Sequence, residues 1–141
     1  MTAVYVDSSV LLRVVLGEPD RLRSWAGIDR PISSQLIRVD CLRTIDRARI
    51  VLGLGDAVVA ERRAALHDVL QAFSLIAVNR AVLQRAAEPF PTTLGSLDAI
   101  HLASALLLRE DIEDLTIATH DLELGLAASA VGFDVDGLPA W

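Results

Sequence analysis

The stretch Ala3-Val4-Tyr5-Val6-Asp7-Ser8-Ser9-Val10-Leu11-Leu12 decides the fold. Ala3 to Val6 is a short apolar run of β-formers. Two serines follow Asp7, and helix-like apolar spacing then resumes. This reads as a buried strand that ends in a carboxylate where a helix begins. In open parallel α/β sheets, ligands bind outside the carboxyl ends of strands. Asp7 stands at such an end, so the other acidic residues that join it decide the function.

The same alternation continues outward. Apolar runs at Ile32–Ser34, Phe73–Val78, Leu115–Thr119 and Gly132–Val135 read as four further strands. Between them, Ser8 or Ser9 caps a helix to about Leu16, and Gly17-Glu18-Pro19 stops it. A second short helix fits Asp20 to Gly27. Ser34 caps a helix over Gln35–Leu52, which Gly53 and Gly55 break. Asp56 caps Ala57–Ala72, and Asn79 caps a helix to about Ala87. Leu97–Arg109 is apolar almost all round, as suits an interior helix. His120–Ala130 closes the set, and the tail Asp136–Trp141 reads as edge or surface. Strands alternating with helices predict an α/β fold, a parallel sheet with helices on both faces.

Length and composition fit this. The chain has 141 residues, 52% of them hydrophobic and 23% charged, which predicts a single ordered domain over 1–141. A domain of that size buries roughly 68–70% of its unfolded surface. Cys41 is the sole cysteine, so neither an internal disulfide nor a cysteine metal cluster is available. The start lacks the basic and apolar segments of a signal peptide, and no apolar run approaches the ~20 residues of a membrane span. A soluble cytoplasmic protein is expected. The formal net charge of −6 argues against passive nucleic-acid binding, although a bound cation inverts a local field. All 13 basic residues are arginine, which excludes any mechanism that needs a catalytic lysine.

Four carboxylates fall at the expected carboxyl end of the sheet. Asp7 follows strand 1, and Asp40 lies about one and a half turns into the helix after strand 2. Asp98 lies in the first turn of the apolar helix, and Asp121 follows strand 4. Such a cluster repels itself unless pKa values rise or a cation enters. Hard oxygen ligands suit Mg²⁺ or Mn²⁺. Each residue also has a plain structural reading. Asp98 and Asp121 suit helix N-termini equally well, and Asp7 suits a polar strand terminus. Asp40, which interrupts an apolar stretch, is hardest to explain that way. Arg43 and Arg47 share the helix face of Asp40 at i+3 and i+7 and suit phosphate contacts, or equally an exposed basic face. His101, three residues after Asp98, fits an interior histidine better than a ligand. Trp25 and Trp141 are isolated and form no stacking platform.

These segments match a known family. Val6-Asp7-Ser8-Ser9-Val10-Leu11-Leu12 resembles the opening motif of PIN-domain ribonucleases. Ser33-Ser34-Gln35-Leu36-Ile37-Arg38-Val39-Asp40-Cys41-Leu42-Arg43 resembles their second. Leu97-Asp98-Ala99-Ile100-His101-Leu102-Ala103-Ser104-Ala105 is similar to the third and is the most specific. Ala118-Thr119-His120-Asp121-Leu122-Glu123-Leu124 resembles the fourth. The likeness runs through almost the whole chain, in the compact form of a VapC-type toxin of a bacterial toxin–antitoxin pair. One position departs: the family's usual glutamate in the second motif is Asp40 here. The side chain is shorter by a carbon–carbon bond of roughly 1.5 Å, which leaves room for a water between Asp40 and an ion.

The resemblance implies a three-layer α/β/α fold, with strand 1 central in a five-stranded parallel sheet. It implies hydrolysis of RNA phosphodiesters with one or two divalent ions, Mg²⁺ or Mn²⁺, and Asp7, Asp98 and Asp121 as ligands. Asp40 is then a ligand directly or through water, or positions the attacking water. Ser9 and Thr119, beside Asp7 and Asp121, are expected to support these carboxylates, though simple backbone capping explains either hydroxyl alone. The implied partners are a VapB-like antitoxin, an RNA substrate (transfer or ribosomal) and a second copy in a homodimer. The sequence does not show which helices form the dimer, although Leu36–Leu52 and Ala57–Ala72 are plausible.

Other enzymes of the same layered shape fit less well. A receiver domain needs a lysine, and a haloacid-dehalogenase-like phosphatase needs an aspartate where Ser9 stands. A dinucleotide-binding domain needs a glycine fingerprint after strand 1, and Gly53-Leu54-Gly55 neither follows a strand nor has the third glycine. A PIN-like binding or regulatory module without catalysis is the remaining alternative, and the shortened Asp40 is the one feature that favours it.

Overall fold

The computed structural model describes residues 2–139. Its elements, in chain order, are β1 (Ala3–Val6), α1 (Ser8–Val15), β2 (Arg30–Ser34), α2 (Leu36–Leu52), α3 (Asp56–Leu70), β3 (Ser74–Ile76), α4 (Arg80–Ala86), α5 (Ser96–Arg109), β4 (Thr116–Ala118), α6 (Leu122–Ala130) and β5 (Val135–Asp136). All five strands are parallel, in the order β3-β2-β1-β4-β5. β1 is therefore central, as the family resemblance implies. Tyr5 aligns with Ile32 of β2 on one side and Ile117 of β4 on the other.

The alternation of β1 divides the core. Ala3 and Tyr5 face a cluster with Leu102 and Ala105 of α5 and Leu124, Ala127 and Ala128 of α6. Val4 and Val6 face Val10 and Leu11 of α1, Ile37, Cys41 and Ile45 of α2, and Leu66 and Leu70 of α3. Successive side chains of a strand point to opposite faces, so four residues anchor both helical layers. Each large apolar side chain so buried contributes about 1.5–3 kcal/mol. This packing explains why α5, apolar nearly all round, holds twelve consecutive positions buried or half-buried from Asp98 to Arg109.

Several boundaries differ from the sequence expectation. Asp20–Gly27 is not a helix. Only Trp25–Gly27 makes a 3₁₀ turn, because Leu22 alone is buried there and the flanking residues follow the surface. Asp56 is the first residue of α3 rather than its cap, and Gly55 takes the extended cap position. β5 lies later than Gly132–Val135. Gly132 has φ +96° in a turn, Phe133 is drawn into the core, and pairing with β4 begins beyond it. Asp136 thus belongs to an edge strand, while the end of the expected tail, including Trp141, lies outside the described residues. Asn79 does cap α4, accepting from Val82 N at 3.0 Å. No helix among the described residues is long and apolar enough to cross a membrane.

Candidate active site

β1 ends at Val6, and Asp7 becomes the N-cap of α1. Its Oδ2 accepts from Ser9 Oγ at 2.6 Å, Thr119 Oγ1 at 2.9 Å and Ser9 N at 3.4 Å. Those hydroxyls are held in turn. Ser9 Oγ accepts from His120 N at 2.9 Å, and Thr119 Oγ1 accepts from Asp121 N at 3.0 Å. The ends of β1 and β4 are thereby tied together through one carboxylate oxygen. Among the described residues, Asp7 Oδ1 has only a long 3.5 Å contact from Ser8 Oγ and is the freer oxygen.

Asp121 caps α6, its Oδ1 accepting from Glu123 N at 2.9 Å and Leu124 N at 3.3 Å. Its structural reading is therefore real, and Oδ2 has no protein donor among the described residues. Asp98 is different. It sits in the first turn of α5 with Gly95 as the cap, and among the described residues no backbone donor is bonded to its side chain. Burial pushes its carboxyl up to about 7, and the charges of Asp121 and Asp7 add to the effect. His101 opposes the shift, and Asp40 contributes least. The charges of Asp7, Asp40 and Asp121, carried by three other elements, thus all reach Asp98.

Asp40 lies in α2 and faces two groups. Ser8 Oγ donates to its Oδ2 at 3.2 Å, and His101 Nε2 is 3.5 Å from the same oxygen. His101 holds the Asp40 carboxyl below the ordinary carboxylate range, against the opposing effect of burial, and Ser8 assists. His101 is fully buried on α5, with Nδ1 2.7 Å from the Tyr5 hydroxyl. Burial raises the Tyr5 pKa well above its usual value, so the phenol keeps its proton. The hydroxyl also accepts from Ser34 N at 3.2 Å. With a carboxylate facing Nε2, the consistent arrangement is Tyr5 O–H donating to Nδ1 and Nε2–H directed at Asp40. A chain of contacts therefore runs from β1 through α5 to Asp40.

The donor set suits a hard divalent cation: every candidate ligand is a carboxylate, and they repel one another without one. Among the described residues, no three His, Cys, Asp or Glu side chains are gathered tightly enough to hold an ion by themselves. Mg²⁺, which usually keeps several waters, fits such an open set better than an ion that needs a closed protein cage.

Residues 4–128 match the PIN domain. The chain belongs to the PIN-domain family. Relatives by sequence include ribonuclease VapC46 of Mycobacterium tuberculosis, 34% identical over 96% of this chain and 97% of that protein. Ribonuclease VapC47 of the same species is 30% identical over 92% of this chain and 93% of its own length. Similar solved folds are a toxin–antitoxin complex from Klebsiella pneumoniae, with TM-score 0.64 and 16% identity over 97% and 96% of the two chains. VapBC2 from Rickettsia felis, bound to a DNA fragment from its promoter, gives TM-score 0.68 at 9% identity over 96% and 98%.

The remaining candidates of this PIN domain are placed as follows. Arg43 and Arg47 lie exposed on α2, and neither touches Asp40. Arg43 Nη1 is 4.0 Å from Asp46, which Arg49 also pairs at 3.0 Å. Cys41 is buried in the core beneath Asp40, and burial pushes its thiol up to about 12, which leaves it inert. Ser8, Tyr5 and the outward reach of His101 are the residues that sequence reasoning missed. His101 is interior, as expected, but only its Nδ1 is paired internally. The i+3 spacing relates it to Asp98, whereas the packing of α5 against the sheet directs it at Asp40.

Proposed function

We propose that this PIN domain, acting as the toxin of a toxin–antitoxin pair, is an endoribonuclease that hydrolyses RNA phosphodiester bonds with Mg²⁺ or Mn²⁺. The observation that carries the proposal is that Asp98, whose carboxyl burial pushes up to about 7, also feels the charges of Asp121 and Asp7. The ribonuclease relatives support the substrate class.

Asp7, Asp98 and Asp121 would hold the ion, with Asp40 directly or through a water. Bound there, a divalent ion would activate water for attack and offset the charge that develops on the phosphate. The chain's own groups prepare the site. Ser9 and Thr119 fix Asp7 through Oδ2, leaving Oδ1 for the groove. The α6 backbone holds Asp121 Oδ1. His101 and Ser8 keep Asp40 ionised and oriented, so that it positions the attacking water or its metal contact. The contacts from Tyr5 through His101 thus bear on the orientation of the short Asp40 side chain.

Arg43 and Arg47 would guide phosphates along the α2 flank. A VapB-like antitoxin is the proposed partner, in keeping with the toxin–antitoxin complexes among the similar folds. A homodimer would use the end of α2, where Ile50, Val51 and Leu52 are 66%, 72% and 68% exposed. The decisive experiment compares wild type with Asp98→Asn: purified protein on RNA with and without Mn²⁺, and induced expression with mapping of new RNA 5′ ends. Cleavage by wild type only with metal, and loss in Asp98→Asn, is expected. Metal-independent cleavage, or full activity in the variant, would overturn the mechanism. Binding of RNA without cleavage would favour the non-catalytic module.

A further inference from the structure

A cavity of about 780 Å³ lies beside the carboxylate groove, between the α1–β2 segment and the strap that follows β5. Arg13, Arg21 and Arg23 line one wall, and His120 and Gly137 line the other. Two features connect it to the proposed catalytic groups. His120 separates Thr119 from Asp121, and its N–H holds Ser9 Oγ at 2.9 Å. His120 Nδ1 is 2.7 Å from Gly137 O, which fastens the strap to the end of β4. Because a carbonyl only accepts, Nδ1 carries the proton. His120 Nε2 is buried and has no partner among the described residues.

The charges in the wall are unequal in what they leave available. Arg13 is committed to Asp20, 3.1 Å from its carboxylate and 3.3 Å from its carbonyl. Asp136 Oδ2 accepts from Ser24 Oγ at 2.6 Å. Arg21 and Arg23 are exposed and enter no salt bridge among the described residues. Once Arg13 and Asp20 cancel, two free guanidiniums face one carboxylate. This is a locally positive recess in a chain of net charge −6. Guanidinium forks match phosphate geometry and also stack on unstacked bases. Leu22 and Leu138 supply apolar surface between them.

We propose that this cavity is a subsite for the single-stranded RNA flanking the scissile bond, with Arg21 and Arg23 contacting its phosphates. The assignment rests on the ribonuclease reading above for its choice of ligand. It places a second phosphate path on the β4–β5 side of the central strand, across from Arg43 and Arg47 on the β2 side. Eight of its eleven lining residues lie in the strap and the α1–β2 segment, so its shape is set largely outside the carboxylate motifs. It therefore governs which flanking sequence is held rather than the chemistry of cleavage.

The test is the double variant Arg21→Gln/Arg23→Gln, made both in the wild-type chain and in the Asp98→Asn chain. Both arginines are surface residues, so folding is expected to be unaffected, and circular dichroism checks it. In the Asp98→Asn chain, fluorescence anisotropy reads binding of a single-stranded RNA without cleavage. Affinity is expected to fall about tenfold, and the slope of log affinity against log salt to shrink by about 1.4, two contacts at ~0.7 each. In the wild-type chain, KM for long RNA is expected to rise while kcat is kept. A short oligonucleotide spanning only the scissile bond should be cut as before. Unchanged RNA affinity and salt slope would overturn the subsite. Weakened binding of an acidic peptide with RNA binding intact would overturn it too, in favour of a protein partner. If wild type cuts no RNA, the enzymatic reading fails, and the anisotropy measurement still decides the subsite.

Discussion

At the scale of single residues, Asp98 has the clearest consequence. Its carboxyl is pushed from an ordinary 3.8 to about 7 in the metal-free protein. The folded state therefore binds more protons than the unfolded chain between those values, and stability falls as pH rises through that window. Asp98→Asn removes a charge disfavoured first by burial and then by the neighbouring carboxylates. At pH 8 without metal it is expected to stabilise the fold by about 1 kcal/mol, after discounting solvent screening at a half-exposed group. That corresponds to a Tm rise of about 2–4 °C. Thermal melts across pH 4–8 check it: the slope of Tm against pH should flatten in the variant, and an unchanged slope would contradict the repulsion. His101 predicts the opposite direction. His101→Leu leaves the buried Tyr5 hydroxyl without its acceptor, at a cost of about 1–3 kcal/mol, and frees Asp40 to wander. The accompanying signature is a rise in the Asp40 pKa, read by NMR titration of the carboxyl carbons. A stability loss alone would reduce His101 to a packing residue.

At the scale of elements, helix capping and proposed metal binding fall on the same residue in Asp121, and substitution separates them. Asp121→Asn keeps an acceptor for Glu123 N and Leu124 N, so α6 should stay capped while the charge at the groove is lost. Asp121→Ala removes both, costing about 1 kcal/mol more in denaturant melts. Equal stability of the two variants would mean the cap contributes little. The strap after β5 presents a second contrast. Gly137 has φ +104°, and a Cβ there would sit 2.6 Å from Thr119 O, a backbone atom. Gly137→Ala is expected to cost about 2 kcal/mol or more, from strain and displacement, and to loosen His120. A Cβ on Gly125 would meet Leu138 Cδ1, Cδ2 and Cγ at 2.5, 2.7 and 2.9 Å, so the whole Leu138 side chain must shift, but these are side-chain and not backbone atoms. Gly125→Ala should stay within about 1 kcal/mol of wild type, because helix propensity offsets the adjustment. Urea melts of the two variants check the ordering.

At the scale of the whole molecule, the sheet was legible because its signal is local. Ala3–Val6 and the other apolar runs announce strands, and Asn79 announces α4. Where local pattern and tertiary context disagreed, the context prevailed: Asp20–Gly27 has helix-compatible residues but one buried anchor, and Phe133 was taken from β5 by the core. The carboxylates were legible as types and positions, since Asp7, Asp98 and Asp121 each follow a strand or open a helix and Asp40 interrupts an apolar stretch of α2. Their mutual repulsion and the reach of His101 to Asp40 were not, because both arise from residues dozens of positions apart meeting over β1. That convergence has a global consequence. A cation that binds the folded groove and not the unfolded chain stabilises the entire fold by mass action, about 2.7 kcal/mol when present at 100 times its Kd. Mn²⁺ should therefore raise the Tm of the wild-type protein in a saturable way, with the midpoint rising as pH falls and protons compete at Asp98. Asp7→Asn should abolish the rise, since it removes the carboxylate that ties β1 to β4 at the groove. Arg21→Gln/Arg23→Gln should keep it. A Tm shift of equal size in all three proteins would place the ion elsewhere on the acidic surface, and the carboxylate groove would lose its claim to the metal.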